Sequence, residues 1–420
     1  MKRVIFHVDV NSAFLSWEAC YRIHHLGGKQ DLRKMVSAVG GDQEKRHGII
    51  LAKSIPAKKF HIQTGETVVS AKEKCPDLTL VPPNYDLYNK SSKALIKLLS
   101  EYTDKIEQYS IDEAFLDMTG CCDDSERTAH EIKDRVHAQL GFTVNIGVSE
   151  NKLLAKMASD FMKPDRVHTL WKSEIQTKMW PLPVSELFYV GHASLNKLRK
   201  LGIHTIGELA ATDPGILQAH MKSQGLLIWQ YANGIDETAV IDTPPPAKGY
   251  GNSLTTPQDV TEPGIAKQYL LSLSETIAAR LRADSVKIGV VSISLRDWDL
   301  RFYGHQITLS VPTDLTMEIY HAACQCLSEL WDGTPLRHLG IHTSSVTTDQ
   351  YRQMQLFDTV DYEKAKRMEK TVDRIRKKYG MDSIKRACFL PSAGNMEMDH
   401  MAGGISREKR TVDYTKERIL

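Results

Sequence analysis

Apolar and polar positions along this chain switch repeatedly between the alternation of strands and the longer repeat of helices. Val4-Ile5-Phe6-His7-Val8 reads as a strand, with Asp9 standing at its end. Asn11-Ser12 suits the cap of a helix from about Ala13 to His25, which Gly27-Gly28 would end. Phe14, Trp17 and Tyr21 recur on it at helical spacing, the pattern of a core stripe. The residues from Lys29 to Pro76 form a short mixed segment with apolar runs at Met35 to Val39 and Ile49 to Ala52. After Tyr85-Asp86-Leu87-Tyr88 a helix with the apolar set Ala94, Leu95, Leu98, Leu99 and Tyr102 is expected. Two strand-like runs, Ile106 to Ile111 and Ala114 to Met118, then flank the acids Asp112 and Glu113 and read as a β-hairpin. A helix from about Arg127 to Leu140 and a strand from Phe142 to Val148 complete the order strand, helix, hairpin, helix, strand, a split βαβ of ferredoxin-like type. Asn151 opens one more helix, Lys152 to Phe161, stopped by Lys163-Pro164.

The pattern changes after that. From about His168 to Ile241 the spacing is helical throughout. The stretch Asp242 to Gly251 holds three successive prolines followed by glycines and reads as a stiff linker. Beyond it come a helix (Gly264 to Ala283), strands (Val286 to Leu295 and His305 to Val311), a helix (Leu315 to Leu330) and a last strand (Leu339 to Thr343), a second α+β unit. A charged helix from about Asp361 to Tyr379 and a mostly polar tail end the chain, and no internal repeat is evident.

Composition narrows the class. A chain of 420 residues is too long for one small core, so about two to four domains are expected. With 41% hydrophobic and 25% charged residues it reads as an ordinary globular protein rather than a disordered one. No apolar run is long enough for a membrane span, Met1-Lys2-Arg3 leads straight into a strand without a secretory leader, and a cytoplasmic protein is expected. The seven cysteines lack paired zinc spacings, since Cys121-Cys122 and Cys324-Gln325-Cys326 fit no such pattern, so free thiols are expected. Net charge is only +2, so any surface for a polyanion has to be local.

The candidate chemistry lies in the acids. Asp112 and Glu113 are neighbours at a hairpin turn, and Asp9 ends a strand. Carboxylates held together repel unless a cation joins them, and hard oxygen ligands suit Mg²⁺, often completed by substrate phosphates. Three carboxylates on strand ends suit a two-metal site for phosphoryl chemistry, while each one alone reads as a turn or cap residue.

These residues carry a resemblance. His7-Val8-Asp9-Val10-Asn11-Ser12-Ala13-Phe14, Ser110-Ile111-Asp112-Glu113-Ala114 and Asn151-Lys152-Leu153-Leu154-Ala155-Lys156-Met157-Ala158-Ser159-Asp160 resemble, in order and spacing, the signature blocks of bacterial Y-family (translesion) DNA polymerases, closest to the DinB branch. The likeness runs over roughly residues 1 to 357. It implies an α+β, multidomain right-hand polymerase: a ferredoxin-like palm (1–28 and 77–167), small fingers (29–76), a helix–hairpin–helix thumb (168–241), a linker (242–252), an α+β little finger (253–346) and a tail (347–420). It further implies template-directed, lesion-tolerant addition of dNTPs to a primer 3′-OH, with primer–template DNA as partner and a monomer as the working form. Asp9, Asp112 and Glu113 would be the catalytic acids and, with the carbonyl of Val10, would hold two Mg²⁺ ions, Mn²⁺ being the substitute.

The remaining site residues follow from the same resemblance. Phe14 would lie under the sugar of the nucleotide as a steric gate, although core packing also suits it. Lys58, Tyr88 and Lys163 would bind nucleotide; at the triphosphate contact the family's Tyr and Arg are replaced here by Ile55 and Lys58, which loses one hydrogen bond and the bidentate fork. Leu51 is bulkier than the small residue often found in the roof over the template base. Gly191 and Lys197 would contact DNA in a hairpin whose usual Gly-X-Gly reads Tyr189-Val190-Gly191. Gln353-Met354-Gln355-Leu356-Phe357 matches a bacterial sliding-clamp peptide, with Gln353, Leu356 and Phe357 as the anchors; stapling of the following helix is the plain alternative. A nucleotide cyclase and a non-catalytic adaptor are the rival readings. The first needs neither the helical hairpin nor the domain after Pro246, and the second typically loses the acids present here.

Overall fold

A computed structural model of the protein describes residues 3–41, 48–349, 361–390, 398–402, 412 and 414. These fall into two compact units, one with residues 3–40, 49–244, Val412 and Tyr414, the other with 245–349, 361–390 and 398–402 together with Gly41 and Gly48. In chain order the first unit opens with β1 (Ile5–Val10), α1 (Ala13–Leu26), β2 (Ser37–Gly40), β3 (Ile50–Lys53), α2 (Ile55–Lys58), α3 (Val68–Lys74) and β4 (Thr79–Val81). It continues with α4 (Tyr85–Leu99), β5 (Ile106–Gln108), β6 (Glu113–Asp117), α5 (Ser125–Leu140), β7 (Val144–Ser149), α6 (Lys152–Asp160) and β8 (Val167–Thr169). The helices α7 (His192–Lys200), α8 (Ile206–Ala211), α9 (Pro214–Met221) and α10 (Ser223–Ala232) close it.

β1 is buried along its whole length because it is the central strand of a five-stranded sheet, ordered β5-β6-β1-β7-β8. It runs antiparallel to both β6 and β7, the arrangement a ferredoxin-like split βαβ requires. Strand alternation divides its side chains between two faces. Phe6, Val8 and Val10 join Val144, Ile146 and Val148 of β7 in the main core under α1, α4 and α5. Ile5 faces the other way and packs with Phe115 and Ala155 under α6. His7 and Asp9 share that second face by period, as does Glu113, two residues before Phe115 on β6. The polar chemistry is therefore collected on the α6 side of the sheet. β3, β2 and β4 form a separate three-stranded sheet between α1 and α4, with its own small core around Ile50, Ile62 and Val68.

The helix boundaries expected from the sequence hold with small shifts. α1 ends at a left-handed Gly27 (φ 70) whose N–H bonds the Arg22 carbonyl. Its start differs: Ser12 occupies the cap position in a left-handed conformation and makes no side-chain cap bond. Asn11 is used elsewhere, donating to Asn145 Oδ1 (3.1 Å) and accepting from Thr143 Oγ1 (2.9 Å) and the Asp165 N–H (2.9 Å). α4 begins at Tyr85 under an Asn84 cap, so Tyr85 and Tyr88 lie inside the helix rather than ahead of it.

The second unit is a four-stranded sheet covered by helices on one face. Its elements are β9 (Gly251–Val260), α11 (Pro263–Ala283), β10 (Lys287–Asp297), β11 (Phe302–Thr313), α12 (Thr316–Leu330), β12 (Leu336–Thr347) and α13 (Tyr362–Tyr379), with sheet order β11-β10-β12-β9. Val291, Ile293 and Leu295 alternate inward toward Leu273 and Ile277 of α11 and Ile319 of α12. β9 was not legible in the sequence: Asn252-Ser253-Leu254-Thr255-Thr256-Pro257 has no apolar run, and a proline is tolerated because β9 is an edge strand.

α13, expected as a charged tail helix, docks on α11 through buried ion pairs. Arg282 binds Glu369 and Asp373, while Glu275 binds Arg376 (2.7 Å) and Arg386 (2.6 Å). Burial alone would raise the Glu275 carboxyl, but the two guanidinium groups outweigh it and hold it below the usual range. Glu275→Ala should lower the unfolding free energy of this unit by about 3 kcal/mol at neutral pH, because it leaves Arg376 buried without its carboxylate. Since the native carboxyl titrates lower than the unfolded one, its contribution is complete above the ordinary carboxylate range and is lost as pH falls through the native value. The gap between parent and variant in denaturant titrations should therefore shrink on acidification. A gap that stays constant down to low pH would contradict this account.

Candidate active site

The register of β1 against β6 pairs Asp9 directly with Glu113. Asp112 sits one residue earlier, in the turn after β5, and its carbonyl accepts the Val10 N–H at 3.1 Å. Ser110 shapes that turn: its Oγ accepts the N–H groups of Asp112 (3.3 Å) and Glu113 (3.1 Å) and donates to Asp112 Oδ1 (2.6 Å). The hairpin thus brings all three acids to one end of the sheet, as the sequence pattern requires.

Their side chains do not all converge. Lys156 Nζ, from the sheet-facing side of α6, lies 2.8 Å from Glu113 Oε1 and 3.5 Å from Asp9 Oδ2. Lys163 Nζ binds Asp9 Oδ2 (2.7 Å) and Asp160 Oδ1 (2.8 Å). Asp112 is held apart by Ser110, and among the described residues no three Asp, Glu, His or Cys side chains stand close enough to form a metal cage. Asp9 and Glu113 are brought together and neutralised by lysines, while Asp112 shares their location but not their partners. The donor chemistry nevertheless fits a hard divalent cation: every candidate ligand, including the Val10 carbonyl, is an oxygen at the same strand ends.

The charges set one another's protonation. Burial would push Glu113 up, but the Lys156 ammonium bonded to its Oε1 outweighs it and holds it at about 2. Burial dominates at Asp9 and raises its carboxyl in spite of Lys163 and Lys156. Desolvation works against the Lys156 ammonium, but Asp160, Asp9 and Glu113 overcome it and raise its affinity for its proton. His7 is fully buried and pushed down, hence neutral; its Nδ1 meets Ser159 Oγ at 2.8 Å, and its Nε2 is 3.7 Å from Glu113, too far for a hydrogen bond.

Comparison with known proteins now decides the family. Two family models match, one described as the impB/mucB/samB family over residues 8–160 and one as its C-terminal domain over 247–356. A DNA polymerase IV of Clostridium acetobutylicum is 44% identical over 93% of this chain and 99% of its own length. One of Acetivibrio thermocellus is 38% identical over 94% of this chain and 99% of its own. The chain belongs to the DNA polymerase IV family. A solved Y-family DNA polymerase chimera shares the fold, with a TM-score of 0.71 at 21% identity over 82% of this chain and all of its own. The cyclase and adaptor readings find no support in these matches.

The other candidate residues are spread over α1, α2, α4 and α7. Phe14 lies on the first turn of α1, half-buried, stacked on Tyr88 (4.5 Å between centroids, 7° between planes) and edge-on to Tyr85 (5.9 Å). Tyr88 itself is fully buried, so the direct nucleotide contact expected of it has no surface to act through; it backs Phe14 instead. Lys58 ends α2 and is exposed, close in sequence to an exposed Ile55. Gly191 starts α7 with an ordinary φ of −82° and Lys197 is exposed on that helix. Tyr189, standing where the family motif has a glycine, adopts φ 72, so the backbone turn survives the substitution at the cost of strain. Gln353, Leu356 and Phe357 lie outside the described residues.

Lys156 joins the site although the sequence pattern does not single it out. It lies within the Asn151 to Asp160 block, and its signal was local: a lysine amid the small residues Ala155, Ala158 and Ser159, which let α6 come close to the sheet. Gly147 of β7 completes that approach, since a Cβ there would overlap the Ala155 carbonyl oxygen and crowd the Ser159 N–H. Gly147→Ala should therefore displace α6, cost about 2–3 kcal/mol in unfolding free energy and reduce activity with it. An unfolding midpoint equal to the parent's would show that α6 has room to spare.

Proposed function

We propose that Asp9, Asp112 and Glu113 are the catalytic acids of this translesion-class, DNA-directed DNA polymerase and that they hold two Mg²⁺ ions with the help of the Val10 carbonyl. Divalent-metal dependence is general to the Y-family fold, and the all-oxygen donor set favours Mg²⁺, with Mn²⁺ as the substitute. When bound, the two ions lower the charge barrier of an in-line attack by a primer 3′-OH on the α-phosphate of a dNTP, with pyrophosphate leaving. The observation that carries the proposal is the Asp9–Glu113 strand register, with Asp112 beside it at the end of the buried central strands.

The protein's own groups act around that centre. Lys163 and Lys156 balance the acids and stand where a triphosphate would bring further negative charge, so Lys163 is assigned to the nucleotide. Lys58, exposed on α2, is assigned to the same triphosphate as a point charge. Phe14, five residues past Asp9 and braced by the Tyr88 ring, is assigned to exclude a 2′-hydroxyl. The sheet with the acids acts as palm (1–28 and 77–167), residues 29–76 as fingers, and 168–241 as a thumb whose α7, with Gly191 at its start and Lys197 in its last turn, is assigned to DNA phosphates. The linker (242–252), little finger (253–346) and tail (347–420) complete the division, and the enzyme works as a monomer on primer–template DNA.

The peptide Gln353 to Phe357 is assigned to a sliding clamp. A net charge of +2 gives weak nonspecific hold on DNA, and a ring around the duplex supplies local concentration instead. Burying Leu356 and Phe357 in an apolar groove is worth roughly 1.5–3 kcal/mol each before ordering costs.

In primer extension with Mg²⁺ and dNTPs, Asp112→Ala should lose at least about a thousandfold in rate and still bind primer–template in a gel shift, since the acids hold metal rather than DNA. Full-strength extension by that variant would remove the assignment. Replacing Leu356 and Phe357 together by Ala should abolish stimulation by a loaded clamp, with clamp-free extension as the check on folding. Undiminished stimulation would return the peptide to a packing role.

A further inference from the structure

Near the far end of the chain, Tyr414 joins the first unit. Its hydroxyl lies 3.0 and 3.1 Å from the Glu18 carboxylate oxygens, to which it donates, and it accepts from Asn84 Nδ2 at 3.0 Å. Its ring stands 5.3 Å from that of Tyr21, and the Arg22 guanidinium is 5.5 Å from its centroid. Glu18 and Arg22 are themselves an ion pair on α1 (2.8 Å), with side chains 0% and 2% exposed. Tyr414 is partly buried, and its hydroxyl and ring both have partners in the first unit.

What those contacts connect is specific. Glu18 is four residues past Phe14, one turn further along the same face of α1. Asn84 is the cap of α4, its Oδ1 accepting the Leu87 N–H at 3.1 Å. The first turn of α4 carries Tyr85 and Tyr88, the rings against which Phe14 packs. One hydroxyl therefore bonds both to the helix that bears Phe14 and to the cap of the helix that braces it. Without it these two helices still share aromatic contacts, but stacking tolerates sliding, whereas two hydrogen bonds on one oxygen fix a distance and an angle.

We propose that Tyr414 is a positioning residue for sugar discrimination: it pins the start of α4 to α1 and so holds the Phe14 ring in the plane that excludes a 2′-hydroxyl. The proposal rests on the reading of Phe14 given above. Tyr414 touches neither Phe14 nor the acids, so it acts through the helices alone. The tail thereby has a part in substrate selection distinct from that of its clamp peptide.

The test is single-nucleotide incorporation by the full chain, with kcat and KM measured for a dNTP and the matching rNTP. The parent is compared with Tyr414→Ala, Tyr414→Phe, Phe14→Ala and the double variant Phe14→Ala with Tyr414→Ala. Tyr414→Ala should reduce the dNTP-to-rNTP ratio of kcat/KM about fivefold, the scale of one net hydrogen bond, through a gain in rNTP use. Tyr414→Phe keeps the ring against Tyr21 and Arg22 and loses the hydroxyl, so it should relax the ratio while leaving the thermal midpoint closer to the parent's. Phe14→Ala should relax it far more, and adding Tyr414→Ala should change nothing further, because the ring being positioned is gone. A ratio unchanged in both Tyr414 variants, with Phe14→Ala relaxed, overturns the role of Tyr414 and leaves that of Phe14 standing. Additive effects in the double variant overturn it too, since Tyr414 would then act elsewhere. A ratio unchanged in Phe14→Ala removes the reading of Phe14 and this proposal with it.

Discussion

Carboxylates gathered at the end of a buried strand pair cannot remain without positive charge, and the first unit is arranged around meeting that demand. Taking an ion out of water costs several kcal/mol even after relaxation, and Asp9 is nearly buried. α6 answers with Lys156, itself only 7% exposed, and Lys163 follows just past the helix. Each charge is tolerable only because the other sign is within contact distance. The placement of α6 is correspondingly over-determined. Asn151 caps it and also donates to the Gly234 carbonyl (2.9 Å), Asp236 accepts the Leu153 N–H (3.0 Å), and Gly147 leaves room for its backbone against β7.

The same need for fixed geometry explains the polar residues buried beyond the acids. Asn11, Asn145 and Ser159 are not ligands in any reading, yet they tie β1, β7 and the end of α6 together: Asn145 Nδ2 donates to the carbonyls of Ser159 (3.0 Å) and Met162 (2.7 Å). Their hydrogen bonds fix where the chain runs between α6 and Lys163, and hence where the second ammonium sits. A core of apolar residues alone would pack as tightly and specify that path less sharply.

Phe14 shows how core packing and partial exposure coexist in one side chain. Its stacking on Tyr88 anchors it against the main core, and the ring stays partly exposed. Tyr88 behind it has a fully buried hydroxyl, which burial pushes far above its usual range, so it stays neutral and serves as a wall. In the second unit the charges do structural work instead. Arg282 and Glu275 turn α11 into a platform for α13, which by its own composition has too little apolar surface to dock.

The sequence by itself determined the local elements and the identity of the acids. Strand and helix periods are written in neighbouring residues, and Asp112-Glu113 between two apolar runs defines a hairpin whatever surrounds it. The order of those elements was enough for a ferredoxin-like sheet, because short, right-handed connections leave few other ways to close it. Three things needed tertiary structure. Lys156 became a site residue only when α6 was laid across β7 and β1, for the small residues beside it mark close packing but not which acids it meets. Tyr88 proved buried, and β9 proved a strand, because burial and edge pairing depend on what comes to lie beside them. Asp112 adjoins Glu113 in the chain yet has different partners, since consecutive side chains at a strand end diverge and only the packed fold decides what each one meets.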